Sequence, residues 1–257
     1  VLELIEMSDT MTPPAGVLPP LFHHVVGVNP ALHGRLRLDR SAGFDVAVGL
    51  QSVPLGLAEF EAACQHFPIL FAAGPRPAPV ALLGLSEGSN LFVGEGGAWR
   101  PGCYVPAYLR AFPFVFLQDA ATSTVYVGME ETASCLSTIV GSPLFEDGRP
   151  TPTLTEAIGF CSALRDNLAS GTAFGQALEE EGLLEEEEAT VRFTAGGGAR
   201  IRGFKLVRAD RLDRLSDATY LDWRRRGWIA AIHAHLHSAG RWARLIELAA
   251  PPGADAA

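Results

Sequence analysis

Val80-Ala81-Leu82-Leu83-Gly84-Leu85-Ser86-Glu87-Gly88 delivers an apolar run into a G-x-S-x-G pattern. How this stretch is read decides the fold. In an α/β-hydrolase such a serine sits on a strained strand-to-helix turn, and the helix supplies a backbone amide to the oxyanion hole. Here the serine is followed by Ser89-Asn90-Leu91-Phe92-Val93-Gly94-Glu95-Gly96-Gly97. That composition opposes a helix. The reading is therefore a β-turn, with Ser86 not a nucleophile and the hydrolase fold excluded.

Working outward, further short strands surround this turn. Phe44-Asp45-Val46-Ala47-Val48 alternates and predicts a strand. Ile69-Leu70-Phe71 and Val80-Ala81-Leu82-Leu83 suit fully buried strands, and Leu91-Phe92-Val93 starts another. Phe114–Leu117 and Thr124–Gly128 predict a hairpin around Asp119–Ser123. Between them, Leu57, Phe60 and Cys64 at helical spacing predict a short helix ending before Pro68, with Glu59 and Glu61 turned outward.

The character changes after about Gly148. Thr153-Leu154-Thr155-Glu156 has the capping-box pattern and predicts a helix start. A second helix is expected over Phe174–Gly182. The acidic run Glu185–Glu188 reads as a solvated helix end or loop. Val191-Arg192-Phe193 and Ile201-Arg202-Gly203-Phe204 read as strands around Gly196-Gly197-Gly198. Ser216-Asp217 caps a helix to Arg226, Gly227 breaks it, and Trp228–Ser238 forms the next. Strands in the first half and helices in the second predict an α+β fold: a strand-rich N-terminal half packed with a helix-rich C-terminal half. One cooperative domain over residues 1–257 is expected, with a candidate subdomain break near 148 and flexible ends at 1–20 and 250–257.

Composition excludes several functions. The 257 residues carry 29 acidic and 20 basic side chains, a net charge of -9. A general nucleic-acid binder needs the opposite sign. Thr10–Gly34 is the longest stretch without a charged side chain, but Pro13, Pro14, Pro19, Pro20 and Pro30 break it, so no membrane-spanning helix is expected. Glu3 and Glu6 interrupt the start, and no basic segment precedes an apolar core. The expectation is therefore a chain without a signal peptide; its opening valine fits either a natural start nearer Met7 or Met11 or a trimmed N-terminus. Cys64, Cys103, Cys135 and Cys161 show no CxxC spacing and are expected as unpaired thiols in a reducing, cytoplasmic setting. Gly94–Gly97 lacks the Lys-Ser/Thr of a phosphate loop and reads as a turn.

Two groups are candidates for chemistry. In His233-Ala234-His235-Leu236-His237, His233 and His237 lie four apart and share a helix face, which is metal-ligand spacing; His235 points the other way. A zinc pair wants a third ligand and no HExxH-type glutamate is present; His23-His24 could complete such a site only through the fold, so no metal or other cofactor is expected. The second group is aromatic and cationic: Trp99, Arg100, Tyr104, Tyr108 and Arg110. Tyr, Trp and Arg dominate interaction hot spots, and guanidinium groups suit carboxylates. On a helix over Val105–Phe112, Tyr104, Tyr108 and Phe112 would form one stripe, which is also the look of a core helix.

That block carries a family resemblance. Leu82-Leu83-Gly84-Leu85, Asn90-Leu91-Phe92-Val93, Trp99, Tyr104-Val105-Pro106-Ala107-Tyr108, Arg110 and Pro113-Phe114 resemble the SapC family of bacterial proteins. Val53-Pro54-Leu55, Glu59-Phe60, Phe67–Phe71, Pro143-Leu144-Phe145 with Gly148, and Gly203-Phe204 before Leu215-Ser216-Asp217 follow in the same order, so the similarity covers roughly residues 18–248. The family is named after a surface-layer locus and is often labelled a peptide-transport permease, a label at odds with the absence of a spanning segment here. Its members occur beside flavin-dependent halogenases, cupin-like hydroxylase relatives and TonB-dependent receptors. The resemblance thus implies a soluble accessory or binding protein, without catalysis, acting on or with a peptide, protein or small-molecule partner, and it carries over no catalytic residues. The alternative is an enzyme with a nonstandard, metal-dependent site associated with halogenase- or hydroxylase-type modification. Stoichiometric iron or zinc in purified protein would favour it.

Overall fold

The apolar runs at Ile69 and Val80 become inner strands of a five-stranded antiparallel sheet. In the computed structural model, residues 18–118, 125–192 and 198–250 are described. Their contacts divide the chain into two units, each assembled from two stretches: Val1–Gly43 with Ala111–Arg165, and Phe44–Arg110 with Asp166–Ala257. The fold is α+β.

In the second unit the strand order is Leu184–Arg192, Gly198–Val207, Ile69–Ala72, Pro79–Leu82, Ser52–Pro54. Ile69 faces Ala81, and Val53 faces the same Ala81 from the other side. Helices cover one face of this sheet through aromatic contacts. The Phe174 ring lies 5.9 Å from both Phe60 and Phe71, and 5.5 Å from Trp228. Phe60, Phe67, Phe71, Phe92 and Phe174 are all essentially inaccessible. Burying each such ring contributes about 2–3 kcal/mol, so this cluster is the main core of the unit.

The other unit holds a three-stranded antiparallel sheet with Val125–Glu130 between Val25–Gly27 and Phe114–Gln118. Arg37–Leu38 pairs with Leu136–Ser137 and with Ser142–Pro143. Phe145–Glu146 and Arg149–Pro150 close a tight hairpin at Asp147-Gly148, where both residues have positive φ (49° and 73°). Such a two-residue turn is the type that suits Asp-Gly. Glu130, 3% exposed, gathers the turn before the first strand: its carboxylate accepts from the His23 and His24 amides at 2.6 and 2.8 Å and from Thr132 Oγ1 at 2.6 Å. Burial pushes this carboxyl up, but the hydrogen bonds from Thr132, His23 and His24 together hold it below its ordinary value.

Four local readings change. Phe44–Val48 is not a strand but a 3₁₀ turn over Asp45–Ala47. Phe44 packs edge-on against Trp99 at 5.5 Å, and the Asp45 carboxylate fills the space beside Gly97, whose φ of +72° a side chain would resist. Leu91–Val93 contributes only a single bridge, Val93 to Trp99. The two expected helices are one continuous helix, Pro152–Glu180. Thr153–Glu156 lies inside its first turns, and Thr151 precedes it, its carbonyl accepting from the Thr155 hydroxyl at 3.0 Å. The polar Ser170-Gly171-Thr172 stretch stays helical, with the Ser170 and Thr172 hydroxyls returned to the carbonyls of Asp166 and Leu168 one turn back. Last, the acidic run Glu185–Glu188 lies in the strand Leu184–Arg192. Its hairpin partner brings Arg202 to Glu188 at 2.7 Å, and Arg208, just past the end of that partner, reaches Glu185 at 2.7 Å. Cross-strand pairing of this kind offsets the low strand propensity of glutamate.

Three further expectations hold. The hairpin strands at Phe114 and Val125 pair antiparallel, and Ser216 caps Asp217–Arg225 by accepting from the Thr219 amide. Gly227, at φ +77°, separates that helix from Trp228–Ser238. Asp119–Ser123, Thr124, Phe193, Gly196, Gly197 and the ends at 1–17 and 251–257 lie outside the described residues.

Candidate functional site

Glu59 anchors the aromatic and cationic segment. The 3₁₀ turn Leu57–Glu59 leads into the one-turn helix Phe60–Ala63. Contrary to the outward reading from the sequence, Glu59 is only 5% exposed. One carboxylate oxygen, Oε2, accepts from the Gly56 amide at 2.9 Å. The other, Oε1, accepts from the Ala107 amide at 2.7 Å and from the Tyr104 hydroxyl at 2.9 Å. One acidic side chain thus fastens a segment nearly fifty residues further along the chain. A charged acceptor serving buried amides makes hydrogen bonds of the strong kind.

From Glu59 the network reaches the surface. Arg110 Nη2 donates to Tyr104 Oη at 3.2 Å and its Nε to the Val105 carbonyl at 3.1 Å. The guanidinium carbon lies 5.7 Å from the centre of the Tyr104 ring, within cation–π range. Trp99 Nε1 donates to the Tyr104 carbonyl at 3.1 Å, and its ring stacks on Phe92 at 5.8 Å. Burial, then the charge and hydrogen bond of Glu59, push the Tyr104 phenol up; Arg110 acts the other way. The phenol therefore stays a hydrogen-bond donor to Glu59 at neutral pH.

The five residues singled out from the sequence are placed unequally. Trp99 and Tyr104 are half-buried, and Arg100 and Arg110 are exposed. Tyr108 is 6% exposed, and burial pushes its phenol up. Trp99, Tyr104 and Arg110 are joined by the contacts above. The helix is shorter than expected, Ala107–Ala111, so Tyr104 and Phe112 flank it and do not form a stripe along it. Glu59 is the residue that sequence reasoning missed. The pattern held one usable signal: Gly56 followed three residues later by a glutamate is the spacing of a side chain reaching back to an amide.

The family model described as SapC matches residues 28–245. The chain belongs to the SapC family. No curated protein and no solved structure matches it. The SapC match spans Glu59, the whole Trp99–Arg110 segment and the histidine-rich helix.

In this SapC chain the other candidates separate cleanly. Ser86 is exposed in a turn closed by the Ser89 amide on the Ser86 carbonyl at 3.2 Å, and no helix follows. Fluorophosphonate probes are therefore expected to leave the protein unlabelled; covalent labelling that disappears in Ser86→Ala would overturn this. His233 and His237 are exposed on one face of their helix, while His235 is buried. Among the described residues no group of three or more His, Cys, Asp or Glu is arranged to hold a metal ion. All four cysteines are free thiols, with Cys64, Cys135 and Cys161 buried. Burial pushes the Cys135 thiol up to about 11 and the Cys161 thiol up to about 12, so neither forms a ready thiolate. Among the described residues no helix is long and apolar enough to cross a membrane.

Proposed function

We propose that this SapC protein is a non-catalytic binding or accessory protein whose recognition surface is built on Trp99, Arg100, Tyr104, Tyr108 and Arg110. Its partner is a peptide or protein presenting carboxylates. One observation carries the reading: Arg110 is held on Tyr104, and Tyr104 on buried Glu59. That relay fixes an exposed guanidinium against an aromatic face before any partner arrives. Preorganisation of this kind lowers the ordering cost of binding. Arg100 adds a second exposed guanidinium one residue from Trp99. Tyr108, being buried, contributes by supporting the helix beneath. Net charge argues against nucleic acid as the partner, and a cytoplasmic location is part of the same proposal.

A library of acidic peptides titrated against the protein tests this. Arg100→Ala and Arg110→Ala are each expected to weaken the best peptide about tenfold, the size of a modest hot spot, with the melting temperature nearly unchanged. Affinity unchanged in both variants, or no acidic peptide bound by the parent protein, would sink the reading.

A further inference from the structure

Several arginines around the C-terminal strands and helices have carboxylate partners: Arg202 and Glu188, Arg208 and Arg211 with Glu185, Arg226 and Asp222, Arg244 and Glu247. Arg241 is different. Its Nε is buried without a hydrogen-bond partner, and among the described residues the side chain has no ion pair. A guanidinium cannot shed its proton, so it cannot escape this cost by becoming neutral. Leaving a buried charged donor unsatisfied is among the costlier defects of a native structure.

The surroundings add positive character. The Ile69 amide donates to Ser238 Oγ at 2.9 Å, which lays the chain around His66 beside the chain around Arg241. His66 is half-buried there, with its ring 6.0 Å from Phe67. Cys64, at the end of the one-turn helix, gives its thiol to the Glu61 carbonyl at 3.2 Å, so it competes weakly for Arg241. Burial and then the charge of Arg241 hold His66 below its ordinary value, and the same charge opposes the effect of burial on Cys64. Glu61 is the acidic side chain felt at Cys64; it is exposed and makes no ion pair with Arg241 among the described residues. Arg241 also opens the helix Arg241–Ala249, and Gly240 before it provides no side-chain cap.

We propose that Arg241 and His66 form a binding site for an oxyanion, either a carboxylate or a phosphate group. The planar guanidinium fork matches both. An anion held by the outer nitrogens of the guanidinium would offset the charge that buried Nε leaves unpaired and would relieve the repulsion between the guanidinium and a protonated imidazole. The site is separate from the Trp99–Arg110 surface and does not depend on what that surface binds.

Inorganic phosphate and acetate, each titrated against chloride at constant ionic strength, test the proposal. One or both are expected to raise the melting temperature beyond the chloride control and to move the His66 imidazole titration, followed by NMR, to higher pH. Which anion acts identifies the source of the ligand. Arg241→Gln is expected to weaken the effective anion at least tenfold, and His66→Gln at least threefold. If Arg241→Gln does not fold, His66→Gln and Arg241→Lys, which keeps the charge but not the fork, decide it: both are expected to weaken the anion. No response beyond chloride, or variants that respond as the parent does, would overturn the site.

Discussion

Replacing Glu59 by alanine is expected to lower the melting temperature by roughly 10 °C, the shift that about 3–5 kcal/mol produces in a chain of this size. The carboxylate holds the Gly56 amide, the Ala107 amide and the Tyr104 hydroxyl. Removing it strands two backbone donors where the residue is 5% exposed and water has poor access. A buried unsatisfied donor costs about 1–3 kcal/mol, and hydrogen bonds to a charged group contribute about 1.5–3 kcal/mol each, without strict additivity. The Tyr104 hydroxyl can recover by turning to solvent, so most of the loss comes from the two amides. Glu59→Gln separates charge from geometry. Its amide oxygen can still serve one side, but its NH₂ group then confronts a second donor, and about half the loss is expected. Tyr104→Phe removes the hydroxyl that donates to Glu59 and accepts from exposed Arg110; Glu59 Oε1 keeps the Ala107 amide and the guanidinium can turn to water, so the cost is expected to be only about 1–2 kcal/mol. Thermal melts of the three variants check the order. A Glu59→Ala protein melting within 2 °C of the parent would show that the buried carboxylate is not the anchor.

Glu59 also marks where sequence reasoning stops. Leu57, Phe60 and Cys64 correctly identified an apolar helical face. Placing Glu59 opposite that face assumed α-helical geometry throughout, whereas Leu57–Glu59 is a 3₁₀ turn, which advances about 120° per residue instead of about 100°. The partners of Glu59 are equally invisible, since Tyr104 and Ala107 follow it by 45 and 48 positions. The candidate segment itself was legible because Trp99, Tyr104 and Arg110 meet within a dozen residues. The inner strands were legible because Ile69–Phe71 and Ala81–Leu82 are buried and, with Val80, read as unbroken apolar runs. The strand through Glu185–Glu188 was not, because the arginines that neutralise it are Arg202 in the next strand and Arg208 just past its end. Phe44–Val48 alternates as a strand does, yet Val46 and Val48 end up 38% and 47% exposed, since the pull of Trp99 on Phe44 decides the local path.

A second large effect is expected with pH, and His235 is its source. Its Nε2 accepts from the Val207 amide at 3.1 Å, and its ring lies 5.2 Å from Phe71. Ser238, one turn on, gives its hydroxyl to the His235 carbonyl at 2.6 Å and accepts from the Ile69 amide at 2.9 Å. The helix Trp228–Ser238 is thus tied by this pair to two strands of the five-stranded sheet. Nε2 can accept only while unprotonated, and Nδ1 is buried without a hydrogen-bond partner. Burial pushes the imidazole down to about 4, with the Ile69 backbone offsetting only part of that. In the unfolded chain the same ring titrates near its ordinary value of about 6.5. Between those values the unfolded state binds a proton that the folded state refuses, so stability rises with pH across this window. The contribution is present in full above about pH 6.5 and is lost progressively as pH falls to about 4. At about 1.4 kcal/mol per pH unit, the loss is on the order of 3 kcal/mol. His33 and His66, both held down first by burial, act in the same direction, and Glu130 joins at lower pH. A parent melt alone would therefore not isolate His235. His235→Gln does so, because a glutamine oxygen can accept from the Val207 amide without titrating. Chemical unfolding of parent and variant at pH 7, 5.5 and 4 is expected to show the parent losing more stability than the variant, with the gap approaching 3 kcal/mol at the lowest pH. Parallel losses in the two proteins would place the acid sensitivity elsewhere and would mean that His235 is not its source.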